Sequence, residues 1–232
     1  IRWRLVDAGS RLNINKLAGY AFATFPVGVT TIYYVATDCA GNVDTCSFTV
    51  TVIDAENPRI TCGPNITVGN AAGQCGANVT WNDAAISNSA QDNCFVDTVY
   101  SSHQSGDFFP VGTTTVTYTV VDQAGNQASC SFTVTVNDTE APVITCPANI
   151  TVSQDPALCP NACGAVVTFA DATATDNCPG VGVAQTGGLA SGSTFPIGTS
   201  TVTYTATDAA GNIALCSFTI TVTALAPTAS IA

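Results

Sequence analysis

Apolar and small polar residues alternate along most of this chain. Thr115-Val116-Thr117-Tyr118 and Phe132-Thr133-Val134-Thr135-Val136 show the pattern, with Thr set against Val, Ile, Phe or Tyr. A period of two predicts strands with one face buried and one wet. β-Branched and aromatic side chains suit that pleated surface. Strands are predicted over 59–62, 66–68, 77–81, 96–101, 114–122 and 128–137, with matching ones later in the chain. No stretch sustains a helical period, so the chain is expected to be all-β.

The pattern is stated three times. Phe25-Pro26-Val27-Gly28, Phe109-Pro110-Val111-Gly112 and Phe195-Pro196-Ile197-Gly198 each lead into a Thr-rich strand, an Asp-x-Ala-Gly-Asn type turn and a Cys-Ser-Phe-Thr strand. The copies begin 84 and then 86 residues apart. That length is one small domain, not a solenoid unit. Seven or so short strands in such a span predict a β-sandwich. Acidic, Pro-containing linkers, Asp54-Ala55-Glu56-Asn57-Pro58 and Asp138-Thr139-Glu140-Ala141-Pro142, mark the boundaries. The expected organisation is a partial module over 1–56, full modules over 57–138 and 139–223, and a tail over 224–232.

Eleven cysteines follow the repeat: Cys62, Cys75, Cys94 and Cys130 in the middle copy, Cys146, Cys163, Cys178 and Cys216 in the third. No Cys-x-x-Cys pair occurs, which argues against zinc and for disulfides in an oxidising compartment. Pairing Cys62 with Cys130 and Cys146 with Cys216 ties each module end to end, leaving Cys75 with Cys94 and Cys163 with Cys178. Loops this long are stabilised by ~3–4 kcal/mol per link. Cys39 and Cys46 would make a compensating link if the intervening turn folds back. Cys159 is left over, free or intermolecular.

The ordered motifs Pro-x-Ile-x-Cys-Pro-x-Asn-Ile-Thr-Val, Asp-Asn-Cys, Phe-Pro-Val/Ile-Gly-Thr, Asp-x-Ala-Gly-Asn and Cys-x-Phe-x-Val resemble the hyalin repeat (HYR) domain. The resemblance covers nearly all of 57–223 and the latter half of 1–56. It implies tandem immunoglobulin-like sandwiches, an extracellular setting in adhesion or matrix proteins, and no catalysis.

The first copy departs from this pattern. Residues 1–56 contain only the second half of a module, and half a sandwich leaves an apolar face and an open sheet edge. The tail from Ala224 aligns with the linker and opening strand near 139–146, with Ile231 where the family cysteine falls. Complementation is therefore expected. Thr228, Ser230 and Ile231 of one subunit would fill the gap beside Ile1, Trp3 and Leu5 of the next, and an open head-to-tail contact builds a filament. The competing expectation is a segment of a longer array whose missing strands lie upstream. The lack of Met and of a leader pattern fits a mature or partial product. A tandem adhesion module binding a protein or glycan is the alternative function.

Charge sharpens this picture. The net charge is −11, yet all five basic residues (Arg2, Arg4, Arg11, Lys16, Arg59) lie in the first quarter. The acidic remainder repels nucleic acid and anionic lipid and favours cations or a basic partner. No apolar run approaches the ~20 residues of a membrane span. Asp122, Asn126, Asp138, Glu140, Asp208 and Asn212 supply oxygens for Ca²⁺, or else cap their own turns. Asn65, Asn78, Asn137 and Asn149 begin glycosylation sequons. Trp3 and Trp81 read as core or interface residues, with a carbohydrate platform as the other option. His103 has no nucleophile signature beside it, and no Gly-x-Ser-x-Gly, His-Glu-x-x-His or phosphate loop occurs.

Overall fold

A computed structural model describes residues 2–7, 14–17, 20–158 and 163–226. They fall into two compact units, one drawn from 1–62, 84–102 and 117–131, the other from 63–83, 103–116 and 132–232. The residues of the middle repeat are shared between them.

The first repeat holds β1 (Arg2–Asp7), β2 (Ile14–Leu17), β3 (Tyr20–Ala23), β4 (Gly28–Thr37) and β5 (Val43–Val52). The second holds β6 (Ile66–Gly69), β7 (Gly76–Asn78), the single-turn helix α1 (Asp83–Ser87), β8 (Val96–Ser101), β9 (Phe108–Pro110), β10 (Gly112–Asp122) and β11 (Gln127–Asn137). The third holds β12 (Val143–Thr145), β13 (Ile150–Ser153), a 3-10 turn over Pro156–Leu158, β14 (Gly164–Val166), β15 (Thr173–Thr175), β16 (Gly182–Gly187), β17 (Thr194–Pro196), β18 (Gly198–Thr207) and β19 (Ile213–Thr223).

The third repeat shows how the alternation works. Its main sheet runs β13-β19-β18-β16, faced by the pairs β14-β17 and β12-β15. Every second residue of β18 and β19 points inward. Val202, Tyr204 and Ala206 from one strand, and Phe218, Ile220 and Val222 from the other, are at most 2% exposed. Thr residues take the alternate positions, and Thr199 and Thr221 bond across the outer face at 3.2 Å. The Phe of the second and third Phe-Pro motifs lies at the bottom of a core, Phe109 1% exposed and Phe195 0%, whereas Phe25 is only partly buried. Gly164 permits close layering there, because a Cβ would meet the Phe195 carbonyl oxygen at 2.3 Å. The turns closing the long hairpins place Gly41, Gly125 and Gly211 at φ of 89°, 91° and 95°, the region other residues avoid.

Two local expectations change. Residues 59–62 form only a bridge, Arg59 to Gln91. Beyond it Ser89 replaces the ladder, its hydroxyl accepting from Thr61 N–H at 3.0 Å and donating to Thr61 O at 3.1 Å. The strand expected over 77–81 stops at Asn78. Trp81 N–H then donates to the Ser105 hydroxyl at 2.8 Å, and α1 follows.

Candidate functional site

Two features are repeated, and one copy of each is incomplete. The first is the main sheet. β4 pairs with β5 in the register of β18 with β19: Tyr34 faces Cys46 as Tyr204 faces Cys216, and Gly28 faces Val52 as Gly198 faces Val222. β1 lies on β4 as β16 lies on β18, with Leu5 opposite Tyr34 and Gln185 opposite Tyr204. In the third repeat β13 adds in parallel to β19, and β14 covers β17 with Gly164 opposite Pro196. Among the described residues the first repeat has no counterpart of either. The consequence is plain in burial. Phe48 is 47% exposed where Phe218 is 2%, and Tyr34 is 40% exposed where Tyr204 is 1%. Trp3 and Leu5 lie on β1. Ile1, Thr228, Ser230 and Ile231 lie outside the described residues.

The second feature is the junction. Asp208 Oδ1 accepts the Asn212 N–H at 2.8 Å and Asp208 Oδ2 accepts Asn212 Nδ2 at 2.8 Å; Asn212 Nδ2 also reaches the Asp138 carbonyl in the linker at 3.3 Å. Asn126 does the same with Asp122 and with the Asp54 carbonyl. Burial pushes the Asp122 and Asp208 carboxyls up, but donors from Asn126 and Asn212 and from the turn backbone outweigh it and hold both below the usual carboxylate value. These residues therefore cap the turn and grip the linker. The oxygens left over lie elsewhere: Asp92 Oδ1, Asp176 Oδ1 and Asn177 Oδ1 are buried without a hydrogen-bond partner. Asp54, Asp92 and the Cys94 sulfur cluster within 4.8 Å of one another, as do Asp138, Asp176 and the Cys178 sulfur.

Linker and loop are also tied across the second junction. Gly73 N–H donates to Glu140 Oε2 at 2.7 Å, Asn177 Nδ2 to Gln74 O at 3.1 Å, and Thr139 N–H to Asn70 Oδ1 at 2.9 Å.

Cysteine pairing differs from the expectation at the inner positions. Cys62 joins Cys130 and Cys146 joins Cys216. Cys75, however, joins Cys178 of the next repeat, not Cys94. Cys75 stands at the end of a sandwich, beside the following linker, where the next Asp-Asn-Cys turn arrives. Cys94 is left free. Cys163 is disulfide-bonded, and Cys159 lies outside the described residues. Cys39 and Cys46 are free and exposed, Cys39 in the turn after β4 and Cys46 on β5.

All four sequon asparagines are exposed. Asn65 Oδ1 and Asn149 Oδ1 accept from Thr133 and Thr219 N–H at 2.9 and 2.8 Å, and Asn78 Nδ2 donates to Gly106 O at 2.8 Å. Trp81 stacks edge-on against Phe109 and Phe132 at 6.0 and 5.4 Å, which makes it a packing residue. No described helix is long and apolar enough to cross a membrane.

The HYR domain model matches residues 20–52, 53–136 and 137–222. Hyalin of Strongylocentrotus purpuratus is 35% identical over 224 residues, covering 93% of this chain and 18% of that protein. Hyalin of Lytechinus variegatus is 38% identical over 204 residues, covering 85% of this chain and 37% of that one. The chain thus spans well under half the length of these relatives. Among solved structures, protocadherin gamma C5 EC1-3 aligns with 95% of this chain and 89% of its own at 15% identity and a TM-score of 0.37. Its disulfides and its relatives make this an extracellular protein. The matched segments, the recurring motifs and the hyalin relatives agree that the chain belongs to the HYR domain family of adhesion-type modules.

Proposed function

We propose that this chain is a structural element of an extracellular filament or matrix, assembled head to tail with copies of itself by strand complementation at the first repeat. The supporting observation is the apolar face of β4 and β5, with Phe48 47% and Tyr34 40% exposed at positions that are closed in the later repeats. An opening strand added in parallel beside β5 and a second laid on Phe25 and Pro26 would complete that sandwich. The tail over 224–232 has the sequence of the linker and first strand of a repeat, the segment that forms β12 in the third repeat, which makes it the part of the donor that this chain carries in this reading. Glycans at Asn65, Asn78, Asn137 and Asn149 would then oppose sideways clumping of the fibre.

Negative-stain microscopy and sedimentation of the chain test this reading. Filaments that disappear when residues 224–232 are removed are expected. Monodisperse monomers with a protected first repeat would refute it.

Calcium binding at the junctions belongs to the same reading. It is supported by the buried, unpartnered Asp176 Oδ1 and Asn177 Oδ1 and by the clustering of Asp176 with Asp138, hard donors suited to that ion. A higher Tm in Ca²⁺ than in EDTA, lost in Asp176→Ala, is expected; equal Tm values would refute it.

A further inference from the structure

The disulfide between repeats two and three is built from two parts that recur elsewhere in the chain. The donor part is the Cys75-Gly76-Ala77 segment. It lies on the Phe-Pro motif, with Gly76 opposite Pro110 and Ala77 opposite Phe109, and Cys75 O accepts Val111 N–H at 3.2 Å. The receiving part is the Asp176-Asn177-Cys178 turn, in which Cys178 N–H donates to Asp176 Oδ2 at 2.9 Å. The receiving part appears again at Asp92-Asn93-Cys94, where Cys94 N–H donates to Asp92 Oδ2 at 2.8 Å. Asp54 and Asp92 flank the Cys94 sulfur as Asp138 and Asp176 flank that of Cys178. Only the donor is missing. Pro26 and Val27, the counterparts of Pro110 and Val111, carry no strand among the described residues. With Asn93, Cys94 and Phe95 they line an open groove of about 480 Å³.

We propose that Cys94 is the receiving end of an inter-repeat disulfide whose donor is a Cys-Gly-Ala strand of an HYR opening half, seated in this groove on Phe25 and Pro26. Cys75 and Cys163, the two such cysteines in this chain, are already disulfide-bonded, so the donor is a further opening half. The inference rests on the part of that reading in which strands from outside residues 1–56 complete the first repeat; the covalent lock needs a Cys-Gly-Ala strand, which the tail over 224–232 does not carry. Forming the bond breaks two S–H bonds and makes one S–S bond. The two protons and two electrons pass to a disulfide-bearing oxidant, which leaves as two thiols. A hydrogen bond to Asp54, then burial and the charges of Asp54, Asp92 and Asp122, hold the Cys94 thiol above its ordinary pKa. That keeps it protonated and slow towards small oxidants until a partner sulfur is held against it.

The test extends the full chain at its start with a copy of residues 53–96 and refolds it in reduced and oxidised glutathione. Non-reducing peptide mapping is expected to link the copied Cys75 to Cys94 and the copied Cys62 to Cys46, with loss of alkylation at Cys94. Changing the copied Cys75→Ser should restore alkylation of Cys94 while the link to Cys46 persists, which separates pairing at this site from misfolding. A link between the copied Cys75 and the copied Cys94 overturns the inference. So does a Cys94 that stays alkylated while the copied Cys62 is bonded to Cys46, although strand completion then stands. If neither link forms and β5 stays unprotected, both readings fall.

Discussion

Phe48 and Phe218 hold the same place in the repeat, which allows one substitution to report on whether the first sandwich is closed. Phe218 is 2% exposed and packs edge-on against Phe169 at 5.1 Å, within a core that includes Val202, Tyr204 and Ile220. Phe218→Ala removes a buried ring and leaves a cavity, so it should cost about 3–5 kcal/mol. Phe48 is 47% exposed, with Tyr34 stacked on one side at 5.9 Å. Full burial of such a side chain is worth about 1.5–3 kcal/mol, so half-burial with no enclosed cavity puts Phe48→Ala near 1 kcal/mol. Hydrogen exchange in urea, read separately on peptides from β5 and β19, measures both without assuming a single unfolding transition. At dilute, monomeric concentration the β19 amides of Phe218→Ala should lose roughly two to three and a half orders of magnitude of protection, at about 1.4 kcal/mol per factor of ten, and the β5 amides of Phe48→Ala about one at most. If the chain complements itself, the cost at Phe48 rises towards that at Phe218 as concentration increases. Equal costs in the dilute monomer would show that residues 1–56 close their own core, and the assembly argument would fail with them.

Other expectations follow from single contacts. Gly164→Ala drives a Cβ to 2.3 Å from the Phe195 carbonyl oxygen and should lower stability by roughly 1–3 kcal/mol, while Gly63→Ala, with nothing within 4 Å, should leave the thermal midpoint unchanged. The Tyr204 hydroxyl donates to Asp171 Oδ1 at 2.9 Å, and burial, with Asp171, raises its pKa above the usual value. Its contribution is therefore full below about pH 10 and lost as pH climbs through the raised value. In Tyr204→Phe the urea midpoint should fall less steeply above that pH, and identical slopes would contradict the assignment. Asp208 is held low by Asn212 and the turn despite burial, so its contribution is present above the ordinary carboxylate pKa of about 3.9 and lost as pH falls through the lowered one. Asn212→Ala should move the acid transition, followed by near-ultraviolet circular dichroism, to higher pH.

Period-two alternation was enough to read the long hairpins, because β10, β11, β18 and β19 bury every second side chain and their Gly turns admit one conformation. The short outer strands were less legible. Residues 59–62 carry strand-forming side chains, yet Ser89 satisfies Thr61 in place of a neighbouring strand, and a hydroxyl acting as a ladder rung leaves no periodic trace. The inner cysteine pairs are illegible for a different reason. Spacing within one repeat suggests partners within that repeat, whereas Cys75 and Cys178 meet because each junction brings the end of one sandwich to the start of the next. The signal that could have shown it is the one-module offset: Cys75 has a receiver, Cys178, one repeat later, whereas no Cys-Gly-Ala segment stands one repeat before Cys94. Of the oxygens expected to hold calcium, those of Asp122 and Asp208 accept from Asn126 and Asn212, while Asp138 clusters with Asp176; the unpartnered oxygens sit in the Asp-Asn-Cys turns.

The three hairpin turns let local and long-range causes be told apart. Asn42 bonds to Asp38 through its N–H at 2.8 Å and its Nδ2 at 2.7 Å, almost the distances seen for Asn126 on Asp122. The turn thus forms without a linker against it, as expected of an Asp that accepts from the backbone two to four residues on. What differs is burial: Asp38 is exposed, while Asp122 is 2% and Asp208 6% exposed. The difference must come from the linker, because Asn126 and Asn212 each give a further hydrogen bond to a linker carbonyl. The same difference appears in the carboxyl pKa values. For Asp38 the Asn42 side chain is the leading influence, whereas for Asp122 and Asp208 burial comes first and opposes the donors. A pre-formed turn that docks a linker, which in turn presents Glu140 to the Gly73 N–H of the preceding loop at 2.7 Å, sets the Asp-Asn-Cys sulfur before its partner. Pairing of Cys75 with Cys178 is then a consequence of docking.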